Sequence, residues 1–79
     1  MQKKFGKDDI EYRLMKDFWK TWEDNGITES SDDYWNKLIA NMQAVSNKYK
    51  GTKREDFARN LMILLADELD REHRAKERT

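Results

Sequence analysis

The sequence predicts an all-α protein: a three-helix, up-down-up bundle with a longer, projecting C-terminal helix. Three observations lead to this prediction. The chain has no proline, its three glycines divide it into segments of helical length, and apolar side chains recur every three or four residues between them. Seventy-nine residues provide one domain with one modest core, and short connections favour antiparallel neighbours. We therefore expect a single domain over residues 1–79, with helices near residues 8–25, 31–50 and 53–77.

The first helix is predicted from one broad apolar face. Met15 and Trp19 flank four apolar residues that are spaced four positions apart. Gly26 is placed to take the left-handed conformation that ends a helix, with Ile27 packing back on Trp22. The four evenly spaced residues are Ile10, Leu14, Phe18 and Trp22.

The second helix is predicted to begin after Ser30 or Ser31, because either hydroxyl can accept a hydrogen bond from an unpaired backbone N–H. Its apolar residues alternate three and four positions apart, which is typical of a helix packed lengthwise on a neighbour. Gly51 follows its end. The apolar residues are Trp35, Leu38, Met42, Val45 and Tyr49, with Ile39 beside them.

The third helix follows a predicted capping box at Thr52 and Glu55, in which each side chain accepts a hydrogen bond from a backbone N–H. Its apolar face becomes charged after Leu69, so we expect core contacts to end there. Residues 70–79 are then a charged helical tail, partly frayed, and residues 1–7 a flexible N-terminus. The apolar face consists of Phe57, Ala58, Leu61, Met62, Leu65 and Leu69.

Four stretches between Phe18 and Leu69 share a wider pattern. It consists of an aromatic-rich first helix, an acidic turn before Tyr34 and Trp35, a Lys-Tyr pair before a turn, and a leucine-rich last helix. The stretches read FWKTW, DDYWNKL, NKYKGT and FARNLMILLADELDRE. In this pattern the chain resembles an uncharacterised family of short helical proteins from Firmicutes and their phages. The resemblance implies a cytoplasmic bacterial or phage-encoded protein with no known activity, and it assigns no site residue.

Cysteine and histidine, which are frequent at catalytic and metal sites, are nearly absent from the sequence. There is no cysteine, and His73 is the only histidine. With Glu77 one turn further on, it falls short of a four-ligand metal set, so we expect His73 to be a solvated tail residue. Residues 21–32 place Gly26 where a calcium loop has glycine, but they lack Asp at the first position and Glu at the last. We therefore expect no catalytic residue, metal, cofactor or small-molecule substrate.

Membrane insertion is not expected either. The longest apolar run covers residues 61–66, far below the roughly 20 residues that span a bilayer. The first nine residues, MQKKFGKDD, have no apolar leader segment. These features predict a cytoplasmic protein without a membrane partner.

Acidic and basic residues, sixteen of each, cancel overall but separate along the predicted bundle. Acidic side chains crowd the first turn and basic ones the second, at opposite ends of an up-down-up bundle. The basic end is a candidate for binding phosphate backbones through counterion release; the alternative is a solvated surface. The acidic residues are Glu23, Asp24, Glu29, Asp32 and Asp33. The basic patch is Lys48, Lys50, Lys53, Arg54 and Arg59, with Lys3, Lys4 and Lys7 expected beside it.

The aromatic content is the second informative feature, with three residues each of Trp, Tyr and Phe. Tyr12 and Trp19 lie at the edge of the first helix's apolar face, and Ile63 lies opposite the apolar face of the third helix. Because Trp and Tyr are enriched at interfaces, these three residues are the candidate interface. The alternative is that large side chains fill a small core.

Together these features predict a non-enzymatic protein-interaction or accessory module. Its partner is another protein or a second copy of the same chain in a homo-oligomer, such as a homodimer. The alternative function is a nucleic-acid-binding accessory protein that uses the basic patch.

Overall fold

The computed structural model describes residues 2–77 and confirms the fold class. Three helices occupy this part of the chain and it contains no strand: α1 Ile10–Asp24, α2 Asp32–Lys48 and α3 Glu55–Glu77. Each helix begins and ends within about two residues of the predicted bounds, which is the usual uncertainty of helix ends. None of the helices among the described residues is long and apolar enough to cross a membrane.

Contacts between distant residues define the helix directions. Near the start of α1, Glu11 Oε2 lies 2.6 Å from Arg54 Nε, just before α3. Beyond the end of α1, Thr28 Oγ1 lies 3.3 Å from His73 Nδ1, near the end of α3. Helices α1 and α3 therefore run parallel, and α2 returns between them in the opposite direction, as an up-down-up bundle requires.

The core consists of two clusters of buried side chains. Partly buried side chains surround each cluster: Ile10, Val45 and Leu61 pack against the first, and Phe18, Tyr34, Trp35 and Met42 pack against the second. Leu65 and Leu69, one turn apart on α3, belong to the second cluster. The first cluster is Leu14, Tyr49 and Ala58; the second is Leu38, Leu65 and Leu69.

The end of α1 differs from the sequence prediction. Gly26 does not take a left-handed conformation, since Gly51 is the described glycine with positive φ. Instead, the amide of Asn25 caps the helix by donating a hydrogen bond of 2.9 Å to the carbonyl of Thr21. A Cβ atom at Gly26 would lie 3.1 Å from the carbonyl oxygen of Trp22, so a larger residue there would require a small shift of the backbone. Ile27 does not pack back on α1, because it is 80% exposed.

The two other predicted caps are present, one of them with altered partners. Ser31 is the N-cap of α2, and its hydroxyl accepts a hydrogen bond from the N–H of Tyr34 at 3.2 Å. Before α3, Thr52 accepts from the N–H of Arg54 at 3.2 Å, while Glu55 accepts from the N–H of Gly51 at 2.9 Å. The carboxylate thus reaches one residue beyond the predicted capping box. The φ of +81° at Gly51 explains this, because the chain turns sharply there.

The end of α3 corrects the expectation for His73. Its side chain is 13% exposed, and its ring contacts the Trp35 ring edge-to-face at 5.7 Å. Core contacts therefore extend one turn past Leu69. The outer face of this end does project into solvent, since the side chains of Arg71 and Arg74 are 70% exposed. The predicted tail and N-terminus include residues 78, 79 and 1, which lie outside the described residues.

We expect His73→Ala to lower the free energy of unfolding by about 1 kcal/mol. The substitution removes the partly buried contact with the Trp35 ring and the hydrogen bonds to the α1–α2 connection. Urea denaturation followed by circular dichroism measures the change. Arg74→Ala is the matched control, since the adjacent exposed side chain should change stability by less than about 0.5 kcal/mol. Equal effects of the two substitutions would contradict a structural role for His73.

Candidate interaction surface

A strip of exposed aromatic and methionine side chains lies along α1. It forms one groove beside α3, and Trp19 joins this groove to a second hollow that ends at Gly26. Its six members are between 39% and 65% exposed. We call these residues the aromatic strip: Phe5, Tyr12, Met15, Trp19, Trp22 and Phe57.

The helical repeat of α1 explains why the strip faces outward. Tyr12, Met15, Trp19 and Trp22 follow 3, 4, 3 spacing, which places them on one side of the helix. Leu14 and Thr21, the buried residues of α1, lie on a different side, directed at the core. Helix α1 therefore has a wide apolar arc, and the bundle covers only one side of it.

The remaining two members of the strip lie beside these four residues and come from other parts of the chain. Phe57 comes from the first turn of α3, and Phe5 precedes α1, where Lys3 Nζ lies 5.5 Å from its ring centroid. Beneath them, Glu11 binds Arg54 and Lys53, at 2.6 Å and 3.5 Å. The pKa of Glu11 is lowered, chiefly by a hydrogen bond from its own backbone N–H and also by Arg54 and Lys53. Desolvation raises this pKa but is outweighed. Glu11 and Arg54, two polar residues that line this groove, thus belong to an ion-pair cluster.

The strip is large for an unpartnered surface. A large side chain exposes about 200 Å² when fully accessible, so six residues at these exposures present roughly 600 Å² of mostly apolar area. The largest apolar patch on a typical monomer measures about 300–600 Å² and is often functional. The aromatic strip is at the top of this range although the chain has only 79 residues.

The candidate interface residues from the sequence fall on two surfaces. Tyr12 and Trp19 belong to the aromatic strip. Ile63 is exposed as well, but it lines a separate groove between α2 and α3 with Met42 and Met62. These three residues therefore do not form one continuous surface.

Three further members of the strip were predicted to lie on the apolar faces of the first and third helices, but they were not among the candidate interface residues. Met15, Trp22 and Phe57 are 48%, 39% and 47% exposed. The 3, 4, 3 spacing of α1 was the signal that identifies Met15 and Trp22, because it describes a second lengthwise seam. Phe57 has no comparable signal, since its exposure depends on how α3 is rotated against α1.

Four of the five residues of the basic patch contact carboxylates, which number three. Lys53 and Arg54 share Glu11, as described above. Lys48 Nζ lies 2.9 Å from Asp17 Oδ2, and Arg59 lies 3.0 Å from Asp56. Among residues 2–77, no ion pair is formed by Lys50. The second turn consequently contains several ion pairs, with Lys50 outside them.

Asp17 contacts a buried tyrosine as well as a lysine. The hydroxyl of Tyr49 donates a hydrogen bond of 2.6 Å to Asp17 Oδ2, the same atom that Lys48 approaches. Burial raises the pKa of Asp17, but the hydrogen bond from Tyr49 and the charge of Lys48 outweigh it, so the pKa is below its usual range. Burial, together with the bond to Asp17, raises the pKa of Tyr49. This pair joins α1 to the end of α2.

The described part of the chain contains no cluster of three or more His, Asp or Glu side chains that could hold a metal ion. His73 has Glu77 2.9 Å away and Ser30 and Thr28 as hydrogen-bonding neighbours. These contacts attach the α1–α2 connection to α3.

Fold and surface together define a small all-α bundle with an exposed aromatic face. Comparison with protein-family models, with curated proteins and with solved structures finds no match for this chain.

Proposed function

We propose that this chain is a non-enzymatic protein-interaction module that binds its partner through the aromatic strip. The observation that carries the proposal is the contiguous, roughly 600 Å² apolar surface along α1. Trp and Tyr are the residues most enriched among those that dominate binding energy. Trp19, at the junction of the two hollows, is the most exposed member of the strip and its centre.

The core supports this proposal because it does not need the strip. Both buried clusters are complete without Tyr12, Met15 or Trp19. Leaving such side chains in water costs about 25 cal/mol per Å² of apolar area relative to burial. A binding partner that covers them recovers this free energy.

The basic patch gives less support to a nucleic-acid function. Counterion release requires cations that are available to phosphates, whereas four of the five residues in the patch contact one of three carboxylates, which lowers their net positive charge. We also propose the cytoplasm of a bacterium or of a phage-infected cell as the location, on the basis of the family resemblance in sequence pattern.

The test is affinity capture from a lysate of the native host, with nuclease present, followed by mass spectrometry. We expect proteins retained by the wild-type chain to be lost with Trp19→Glu, because a charge at the centre of the strip opposes burial. Ile63→Glu is the matched control, since Ile63 is 57% exposed and lies in the other groove.

Circular dichroism should show that both variants remain helical, because neither side chain belongs to the core. Two outcomes contradict the proposal: the same proteins bound by wild type and Trp19→Glu, or a loss that occurs with Ile63→Glu instead.

A further inference from the structure

We infer that the partner of the aromatic strip is a second copy of this chain, with α1 of one copy packed antiparallel to α1 of the other. The inference rests on the proposed function, because it uses the same surface. It is carried by three features of α1 and its neighbour α3: a symmetrical seam, a complementary charge pair and sufficient apolar area.

The seam of α1 has the same spacing in both directions. Tyr12, Met15, Trp19 and Trp22 are separated by three, four and three positions, so reversing the helix superposes the seam on itself. In the antiparallel dimer, Tyr12 lies opposite Trp22 of the second copy, and Met15 lies opposite Trp19. Both pairings are favourable, since aromatic rings attract one another and thioether sulfur packs well against aromatic edges. Two-fold symmetry produces each contact twice.

Two exposed charges select the antiparallel direction. Lys16 and Glu23 lie seven residues apart on the same side of the seam and line the two hollows of the strip. Neither forms an ion pair within residues 2–77. Helical side chains lean toward the N-terminus of their own helix. In antiparallel helices Lys16 therefore leans toward Glu23 of the second copy, and symmetry forms this pair twice.

A parallel pairing lacks this complementarity. It would place Lys16 opposite Glu11 of the second copy, as flanking positions are placed in parallel coiled coils. Glu11 already binds Arg54 and Lys53, and its side chain is only 12% exposed. The charges of the chain consequently favour the antiparallel dimer.

Helix α3 extends the same surface. Leu64 is 63% exposed and lies seven residues after Phe57, on the same face of α3. Because α1 and α3 run parallel and Glu11 lies beside Arg54, Phe57 is at about the same height along the bundle as Leu14, and Leu64 at about the same height as Thr21. The two-fold axis of the proposed dimer places the start of one α1 beside the end of the other. It therefore brings Phe57 of one copy toward Leu64 of the other.

The available area matches that of a stable dimer. A standard interface takes about 800 Å² from each partner, roughly 60% of it apolar. The strip supplies roughly 600 Å² of mostly apolar surface before Leu64 is counted. The area and its composition are therefore sufficient for a two-fold interface of standard size.

The test is sedimentation equilibrium of the full chain at roughly 5–200 μM, a range that covers moderate dimer affinities. The wild type is expected to dimerise. Lys16→Glu and Glu23→Lys should each weaken the dimer about tenfold, because each replaces two attractive pairs with two repulsive ones. The double variant restores both pairs with exchanged signs and should return to within about twofold of wild type. Lys37→Glu, an exposed lysine of α2 outside the strip, is the control and should not change the dimer.

Recovery in the double variant identifies a second copy as the partner, since a different protein could not compensate both changes. A wild type that stays monomeric throughout the range overturns the inference, as does a dimer whose double variant is as weak as the single variants. The lysate experiment then separates the two proposals. If Trp19→Glu still loses a captured protein, the strip is an interface for another chain; if it loses none, both proposals fail.

Discussion

Replacing Leu65 with alanine is expected to lower the free energy of unfolding by about 3 kcal/mol. Leu65 is only 2% exposed and packs with Leu38 and Leu69 in the second core cluster. The substitution removes three buried carbon atoms and leaves a cavity that a small core cannot close. A domain of this size typically has about 3–5 kcal/mol of net stability, so a large part of the variant population should be unfolded.

Thermal and urea denaturation monitored by circular dichroism measure this loss. Ile63→Ala is the matched control, because it also removes three side-chain carbon atoms, lies in the same helix and is at a residue that is 57% exposed and outside the aromatic strip. It should cost less than about 1 kcal/mol. Similar losses from the two substitutions would mean that α3 is rotated relative to the orientation described above.

Tyr49→Phe is expected to have the second largest effect, a loss of about 1–2 kcal/mol at neutral pH. Tyr49 is 3% exposed, so its hydroxyl and Asp17 form their hydrogen bond largely away from water. Asp17 keeps its contact with Lys48 in the variant, which limits the loss. Tyr12→Phe removes the hydroxyl of an exposed tyrosine and is the control, with an expected change below about 0.5 kcal/mol.

The pH dependence of stability provides an independent check of this pair. The folded state lowers the pKa of Asp17, so the stability that it contributes is present above its usual value of 3.8 and is lost as the pH falls below that value. The folded state raises the pKa of Tyr49, so that contribution is present below the usual value of 10.0 and is lost as the pH rises above it.

Tyr49→Phe should therefore weaken the acid dependence and remove the alkaline part that Tyr49 contributes. Urea denaturation over a pH series measures both, and tyrosinate absorbance follows the alkaline transition. A variant with the same pH profile as the wild type would show that the hydrogen bond between Tyr49 and Asp17 does not stabilise the fold.

Periodicity along the sequence was sufficient to predict the helices, because apolar spacing and glycine positions are local properties. The cap at Ser31 was predicted for the same reason. The end of α1 was not, since two local signals compete there and the side chain of Asn25 ends the helix before Gly26 can. Local chemistry therefore predicts where helices lie more reliably than which residue ends each one.

The candidate surface required information that periodicity does not contain. The apolar arc of α1 is wider than two neighbouring helices can cover, and the sequence does not specify which part remains outside. Trp19 was named as a candidate because it lies at the edge of this arc, whereas Met15 and Trp22 were placed on the apolar face without a prediction that they are exposed. His73 was misassigned because its neighbours, Thr28 and Trp35, are about forty residues away in sequence.

The division of α1 into one face for the core and another for the strip has an evolutionary consequence. Substitutions on the outer face change the apolar surface that α1 exposes, while Leu14 and Thr21 continue to hold the helix in place. Descendants of this chain can therefore change this exposed surface without first acquiring compensating mutations in the hydrophobic interior. Selection on the exposed surface and selection on folding act on different residues of the same fifteen-residue helix.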